Sequence, residues 1–214
     1  MTANQFGEPY RSIHTGHTGQ GHLFLLSAPS GAGKTTLCKA ILLAFPDMVY
    51  SVSYTTRTPR PGEQDGRDYF FISTEAFESG IKKGMWAEWA QVHGNYYGTR
   101  ASSVEEVIKT GRDILMDIDV QGALQIRKRF PQVVTFFIMP PSMTILKQRL
   151  IQRGGENEES LALRLVNAEK EIDQRVHYHH VLINDRLDDA ISELISMINT
   201  YRSKPQSTEA PGEA

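Results

Sequence analysis

At 214 residues and 40% hydrophobic content, the chain is long enough to bury a sizeable core, in one domain or in one core with inserted lobes. Its 23 Lys and Arg against 25 Asp and Glu leave a net charge of −2, which argues against a general nucleic-acid binder, since that class is usually basic. No apolar run reaches the roughly 18–20 residues that span a bilayer, and one cysteine, Cys38, makes no internal disulfide, as fits a reducing compartment.

The first 21 residues lack the charged and apolar regions of a signal peptide and read as a disordered Gly-rich tail. His14 and His17 there, with His22 just after, lie close together, but such an end is more often disordered than metal-binding. "GHLFLLSAP" is a buried strand, and "KTTLCKAILLAF" a helix with Leu37, Ile41 and Leu42 on one face, stopped by Pro46. Cys38 reads as a small core residue of that helix. Residues 51–100 change character, with short alternating runs such as "DYFFIS" and "MWAEWAQV" around the helix "TEAFESGIKK", which predicts an inserted lobe. Regular alternation then returns. "SSVEEVIKTG" is a helix with a Ser cap and a terminal Gly, "DILMDID" a strand, "QGALQIRKRF" a helix, "QVVTFFIMP" a strand and "SMTILKQRLIQRG" a helix. A long charged helix follows, then the strand "HHVLIND" and the closing helix "RLDDAISELISMINTY". This order predicts an α/β core with a parallel sheet flanked by helices. The segment 202–214 reads as a disordered C-terminal tail.

The turn between the first strand and helix, "SAPSGAGKTT", is one residue short of the phosphate-loop pattern. Gly33, Lys34 and Thr35 fit, but Ala28 stands where the first Gly belongs. Such a loop works by aiming backbone N–H groups into one hollow at a helix N-terminus. Lys34 adds charge, and the Thr35 hydroxyl can ligate magnesium. Ala at position 28 is tolerated provided its φ is negative, because Gly31 and Gly33 remain where the loop wraps a phosphate. In the lobe, Arg57 and Arg60 with Tyr69 suit a phosphate dianion, since Arg offers forked donors. Glu88 stands between Trp86 and Trp89. It is either a base-reading carboxylate or a surface one, and simple alternation leaves the choice open. Asp117 and Asp119 end the "LMDID" strand, and either could order magnesium through water. His177, His179 and His180 precede the last strand and read as neutral or exposed histidines.

"SGAGK", "SVSYTTRTPRPGE", "DYFF", "EWAQVHGNYYGT" and "DIDVQGA", in that order, resemble the motifs of the guanylate kinase family, as do "LKQRLIQRG", "EESLALRL" and "VLIND" further on. The resemblance covers about residues 22–201 and includes the Ala variant of the loop. It implies a P-loop NTPase core at 22–52 and 104–201, an inserted GMP-binding lobe at 53–103 and a lid at about 153–170. The implied reaction is ATP-dependent phosphorylation of GMP (and dGMP) to GDP, with Mg²⁺, in the purine nucleotide metabolism of the cytoplasm. The implied ATP ligands are Ser30, Gly31, Ala32, Gly33, Lys34, Thr35, Thr36 and Asn184, with Thr35 on the metal. The family's GMP-phosphate ligands fall on Arg57, Arg60, Tyr69 and Tyr97, and its guanine-reading groups on Ser53, Glu88, Thr99 and Asp117. Position 99 is often Ser in the family; Thr keeps the hydroxyl and adds a methyl. The phosphate-clamping residues are Lys34, Arg149, Arg153 and Arg164. The competing readings are a scaffold that has lost catalysis, a nucleotide-triggered switch and a kinase for AMP or another monophosphate. The scaffold would lack the loop lysine and lid arginines, and the switch would lack a second lobe. The partners expected are the two nucleotides, with no nucleic acid or membrane, and self-association stays open.

Overall fold

The computed structural model describes residues 20–92, 94–153 and 157–203. The remainder, including His14 and His17 and most of both tails, lies outside the described residues.

Strand β1 (Leu23–Ser27) is buried along its whole length because it is the middle strand of a five-stranded sheet. On one side it pairs in parallel with β7 (Ile114–Asp117), which pairs with β2 (Val49–Tyr50). On the other it pairs with β8 (Val134–Met139), which pairs with β9 (His180–Ile183). All four ladders are parallel, so both faces need helical cover. One face packs Leu37 and Ile41 of α1 (Lys34–Ala44) and Leu194 and Ile198 of α7 (Leu187–Arg202) against Phe24, Leu26 and Phe136. The other packs Val104 and Val107 of α3 (Ala101–Lys109) and Ala123 and Ile126 of α4 (Val120–Arg129) against Leu25, Ile114 and Met116.

A second sheet, in the order β4-β3-β6-β5, holds Phe70–Phe71, Tyr54–Thr55, Asn95–Arg100 and Trp86–Val92 respectively. Helix α2 (Thr74–Lys82) closes it, capped by Ser73, which accepts from the Ala76 N–H. The small core here is aromatic: Phe77 stacks on Trp86 at 4.1 Å between centroids, and Tyr54 on Phe70 at 4.7 Å. Gly98 must be glycine, since a Cβ would lie 2.8 Å from the Glu88 carbonyl and 2.9 Å from Phe77. The register of β5 slips between Trp86 and Glu88. That bulge breaks the alternation assumed from sequence. Trp86 joins the aromatic core, Ala87 the main core, and Glu88 faces the cleft between the sheets.

A third unit is the hairpin of α5 (Met143–Arg153) and α6 (Glu158–Asp173), which buries Leu146, Leu150 and Ala168 between its own helices. Asn157 caps α6 by accepting from the Ser160 N–H, and a 3-10 turn at Gln174–His177 follows. The Ser cap expected for α3 is absent. Its N-cap is Arg100, whose side chain does not cap the helix, because β6 runs directly into the helix and the Ala101 N–H is taken by the Met85 carbonyl.

At the sheet end away from the loop, Arg202, at the expected start of the C-terminal tail, is the last residue of α7. Its Nε lies 2.9 Å from Asp113 Oδ2, it pairs with Asp47, and its guanidinium lies over the Phe45 ring. Asp113 also accepts from the His22 N–H at 2.7 Å. His22 therefore serves this clasp. Arg202→Ala would leave a buried carboxylate without its cation and should cost about 2 kcal/mol. A lowered urea midpoint with an unchanged slope is expected; an unchanged midpoint would show the clasp to be idle.

Candidate active site

Strand β1 ends at the C-terminal edge of the sheet, and the chain turns there into α1. The turn's left-handed residues are Gly31 (φ 92°) and Gly33 (φ 96°), the two glycines the sequence keeps. Ala28 needs no such freedom to be useful, since it packs against the main core. The loop is held from behind: Asn184, at the end of β9 and buried, donates Nδ2–H to the Ala32 carbonyl at 2.8 Å. A Cβ on Gly33 would lie 2.3 Å from that nitrogen, and one on Gly31 3.0 Å from Leu146 and Leu150 of α5. The first turn of α1 carries no acidic residue, so its amide donors face an anion without competition. Ser30, Thr35 and Thr36 are exposed at this edge. Gly31, Gly33, Thr36, Arg149 and Asn184 line a cavity of about 200 Å³. Arg149 donates to the Asn184 carbonyl at 3.0 Å, while its buried Nη1 has no hydrogen-bond partner.

Lys34 leans toward β7. Its Nζ lies 2.5 Å from Asp117 Oδ1 and donates to the Ile118 carbonyl at 3.1 Å. Ser27 donates to that same carbonyl at 2.9 Å. Asp119 caps α4, accepting from the Gly122 N–H at 2.8 Å. Cys38 sits beneath, 3.8 Å from Asp117 Oδ2, and burial pushes its thiol well above the ordinary range, so it is the core residue expected.

Across the cleft a second cavity, about 340 Å³, is lined by Ser53, Tyr69, Glu88, Tyr97, Asp117 and Asp119, among others. Glu88 is 6% exposed and accepts from the Thr99 hydroxyl at 2.7 Å, its cross-strand partner. Burial pushes its carboxyl up to about 7; the Thr99 bonds act against this, and the charge of Asp119 adds to it. At the outer end, Arg57 donates to Glu63 Oε1 at 2.8 Å and to the Thr58 carbonyl at 2.9 Å, and its guanidinium lies 5.4 Å from the centre of the Tyr69 ring. Tyr69 and Tyr97 meet edge to face at 5.9 Å. Burial raises the Tyr69 hydroxyl, with Tyr97 adding, so it stays a neutral donor. Arg60 is exposed at the rim, its backbone N–H held by Glu63 Oε2 at 2.7 Å.

The structure thus brings Lys34, Asp117 and Asp119 to one side of the cleft and Ser53, Arg57, Tyr69, Glu88, Tyr97 and Thr99 to the other. It does not bring Arg164 to either cavity: that residue is exposed on α6. The Arg153 side chain lies outside the described residues. His179 bonds Thr135, and His180 bonds the Tyr201 hydroxyl at 2.7 Å, so both are structural. Among the described residues no group of three or more His, Cys, Asp or Glu is placed to hold a metal by itself. Two acids went unassigned in the sequence. Glu63 holds the Arg57 side chain and the Arg60 backbone, and its place six and three residues after them in a Pro/Gly loop was a usable signal. Glu171 of α6 lies near the loop; burial raises its carboxyl and Asp119 adds, while Lys34 and the Ser30 backbone act the other way.

A phosphate loop at the carboxyl edge of a parallel sheet, facing a lobe with its own arginines and a buried carboxylate, defines a P-loop nucleoside monophosphate kinase. The family model described as guanylate kinase matches residues 20–201. Guanylate kinases from Geobacter metallireducens and Geobacter sulfurreducens are 46% and 48% identical, covering 86% and 84% of this chain and 91% and 88% of theirs. The crystal structure of guanylate kinase from Anaplasma phagocytophilum matches with a TM-score of 0.68 at 31% identity, over 88% of this chain and 89% of that one. The chain belongs to the guanylate kinase family.

The raised Glu88 carboxyl makes a signed prediction. Its neutral form is favoured by the fold, so its contribution is full below pH 4.5 and is lost as pH rises through about 7. The melting temperature of the ligand-free protein should therefore fall over that window more steeply in wild type than in Glu88→Gln. Parallel curves would mean that Glu88 titrates normally.

Proposed function

We infer that the chain transfers the terminal phosphoryl group of ATP to GMP, giving ADP and GDP. The observation that carries this is the pairing of two unlike half-sites across one cleft: amide donors with Lys34 on one side, and a buried carboxylate with an arginine–tyrosine cluster on the other. Guanine presents N1–H and an exocyclic amine on one edge, and a carboxylate accepts both. Adenine offers an unprotonated N1 there and would leave Glu88 buried and unpaired. Ser53, Thr99 and Asp117 complete the base pocket. Arg57, Arg60, Tyr69 and Tyr97 take the acceptor phosphate. These contacts read base and phosphate, which GMP and dGMP share.

On the donor side, loop residues 30–36 cradle the ATP phosphates. Asn184 and Arg149 lie toward the adenosine end, where the unspent Arg149 Nη1 suits a nucleotide oxygen. The acceptor phosphate attacks as an oxygen already charged, so no strong general base is needed. Catalysis is then positioning and charge neutralisation by Lys34, Arg149, Arg153 and Arg164. Arg153 and Arg164 sit on the α5–α6 hairpin and act by its closure over the site, which excludes water and spares ATP from hydrolysis. The oxygen donors Thr35, with Asp117 or Asp119 through water, suit a hard cation and would hold Mg²⁺. Held there, it would supply positive charge to offset that of the ATP phosphates. A cytoplasmic setting, where thiols stay reduced, suits the single cysteine.

The test is a coupled assay with GMP, dGMP, AMP and UMP as acceptors. GMP should exceed AMP in kcat/KM by roughly 10⁴-fold, and Lys34→Ala should lower kcat on the order of 100-fold or more in a folded protein. Comparable GMP and AMP values would contradict the guanine reading, and near-normal turnover by Lys34→Ala would contradict the assigned role of the loop.

A further inference from the structure

Strand β5, which carries Glu88, is the outer strand of the lobe sheet, so one edge of its backbone is open. That edge is closed beside Glu88 by one side chain from the core. Gln125 of α4 accepts from the Trp89 N–H through Oε1 at 3.1 Å and donates to the Trp89 carbonyl through Nε2 at 2.9 Å. The carboxamide pairs both backbone groups of one residue, as a neighbouring strand would.

Helix α4 is fixed to the main sheet, because Ala123 and Ile126 lie in the core with Ile114 and Met116. Three residues before Gln125, on the same helix face, Gly122 backs the Glu88 carboxylate: a Cβ there would lie 3.0 Å from Oε2. The core therefore meets β5 twice, once behind the carboxylate and once on the next residue's backbone. Between Trp86 and Glu88 the β5–β6 register has slipped. The ladder is locally disrupted at the bulge, and a slip of one residue beyond it would turn Glu88 to the other face.

We propose that Gln125 is a positioning residue for guanine recognition, holding β5 in register just past its bulge so that Glu88 meets the base edge. This rests on the reading of Glu88 as the group that recognises guanine. Trp89 is half-exposed, so water can replace the two amide bonds at little cost in stability. What is lost without them is placement.

The experiment compares wild type, Gln125→Ala, Gln125→Met and Glu88→Gln with GMP and with inosine monophosphate, which lacks the exocyclic amine. Met keeps the length and volume of Gln without its bonds and guards against loss of fold. Both Gln125 variants should raise KM for GMP about 5- to 20-fold and reduce the GMP-over-inosine-monophosphate preference at least 3-fold. Their kcat and their KM for ATP should stay within about 2-fold of wild type. A Gln125→Met enzyme with wild-type KM for GMP and wild-type base preference would overturn the proposal. So would an equal rise in both KM values with a lowered melting temperature, since that is general loosening. If Glu88→Gln keeps the wild-type base preference, the guanine reading itself fails, whatever the Gln125 variants do.

Discussion

The ion pair of Lys34 with Asp117 joins the parts of this molecule that must act together. Lys34 begins the helix after the phosphate loop, and Asp117 ends the neighbouring strand and lines the opposite cavity. The two side chains are 21% and 13% exposed, so each has lost much of its water and the pair is held tightly by mutual charge and the Ile118 carbonyl. Such a pair contributes little net stability, but it keeps a cation poised where phosphates would arrive. A nucleotide phosphate can take the place of Asp117 without the lysine moving far.

The lobe uses the same economy. Arg57 and the Arg60 backbone are gathered by Glu63, which would lower the ordering cost of binding the proposed acceptor phosphate. Glu88 is handled in the opposite way. It is buried with one hydroxyl partner, Thr99, and its second oxygen lies against the turn at Gly122. A carboxylate held like this is costly unless donors reach it, and on the proposed guanine reading the cost of a mismatch would be the source of selectivity.

The core was legible in the sequence because its signals are local. Alternating strands and helices, the glycines of the loop and the stop at Pro46 each act within a few residues. Ala28 looked like a defect only because the pattern treats the first position as glycine. The positions that need left-handed backbone are Gly31 and Gly33, and both were present. The lobe was visible as a change of composition, and Arg57, Arg60, Tyr69 and Glu88 stood out by residue type, while Ser53, Tyr97 and Thr99 came from the family resemblance. What stayed hidden depends on contacts distant in sequence. The bulge that separates Trp86 from Glu88, the start of α3 at the end of β6, and the reach of Gln125 across 36 positions to Trp89 leave no periodic trace.

The most direct test is a crystal structure of the complex with a two-headed analogue, adenosine joined to guanosine through a phosphate chain. The account predicts Lys34 Nζ on phosphate oxygens and away from Asp117, with the Glu88 carboxylate within hydrogen-bond distance of guanine N1 and its exocyclic amine. Lys34 still paired with Asp117, or guanine bound away from Glu88, would contradict it.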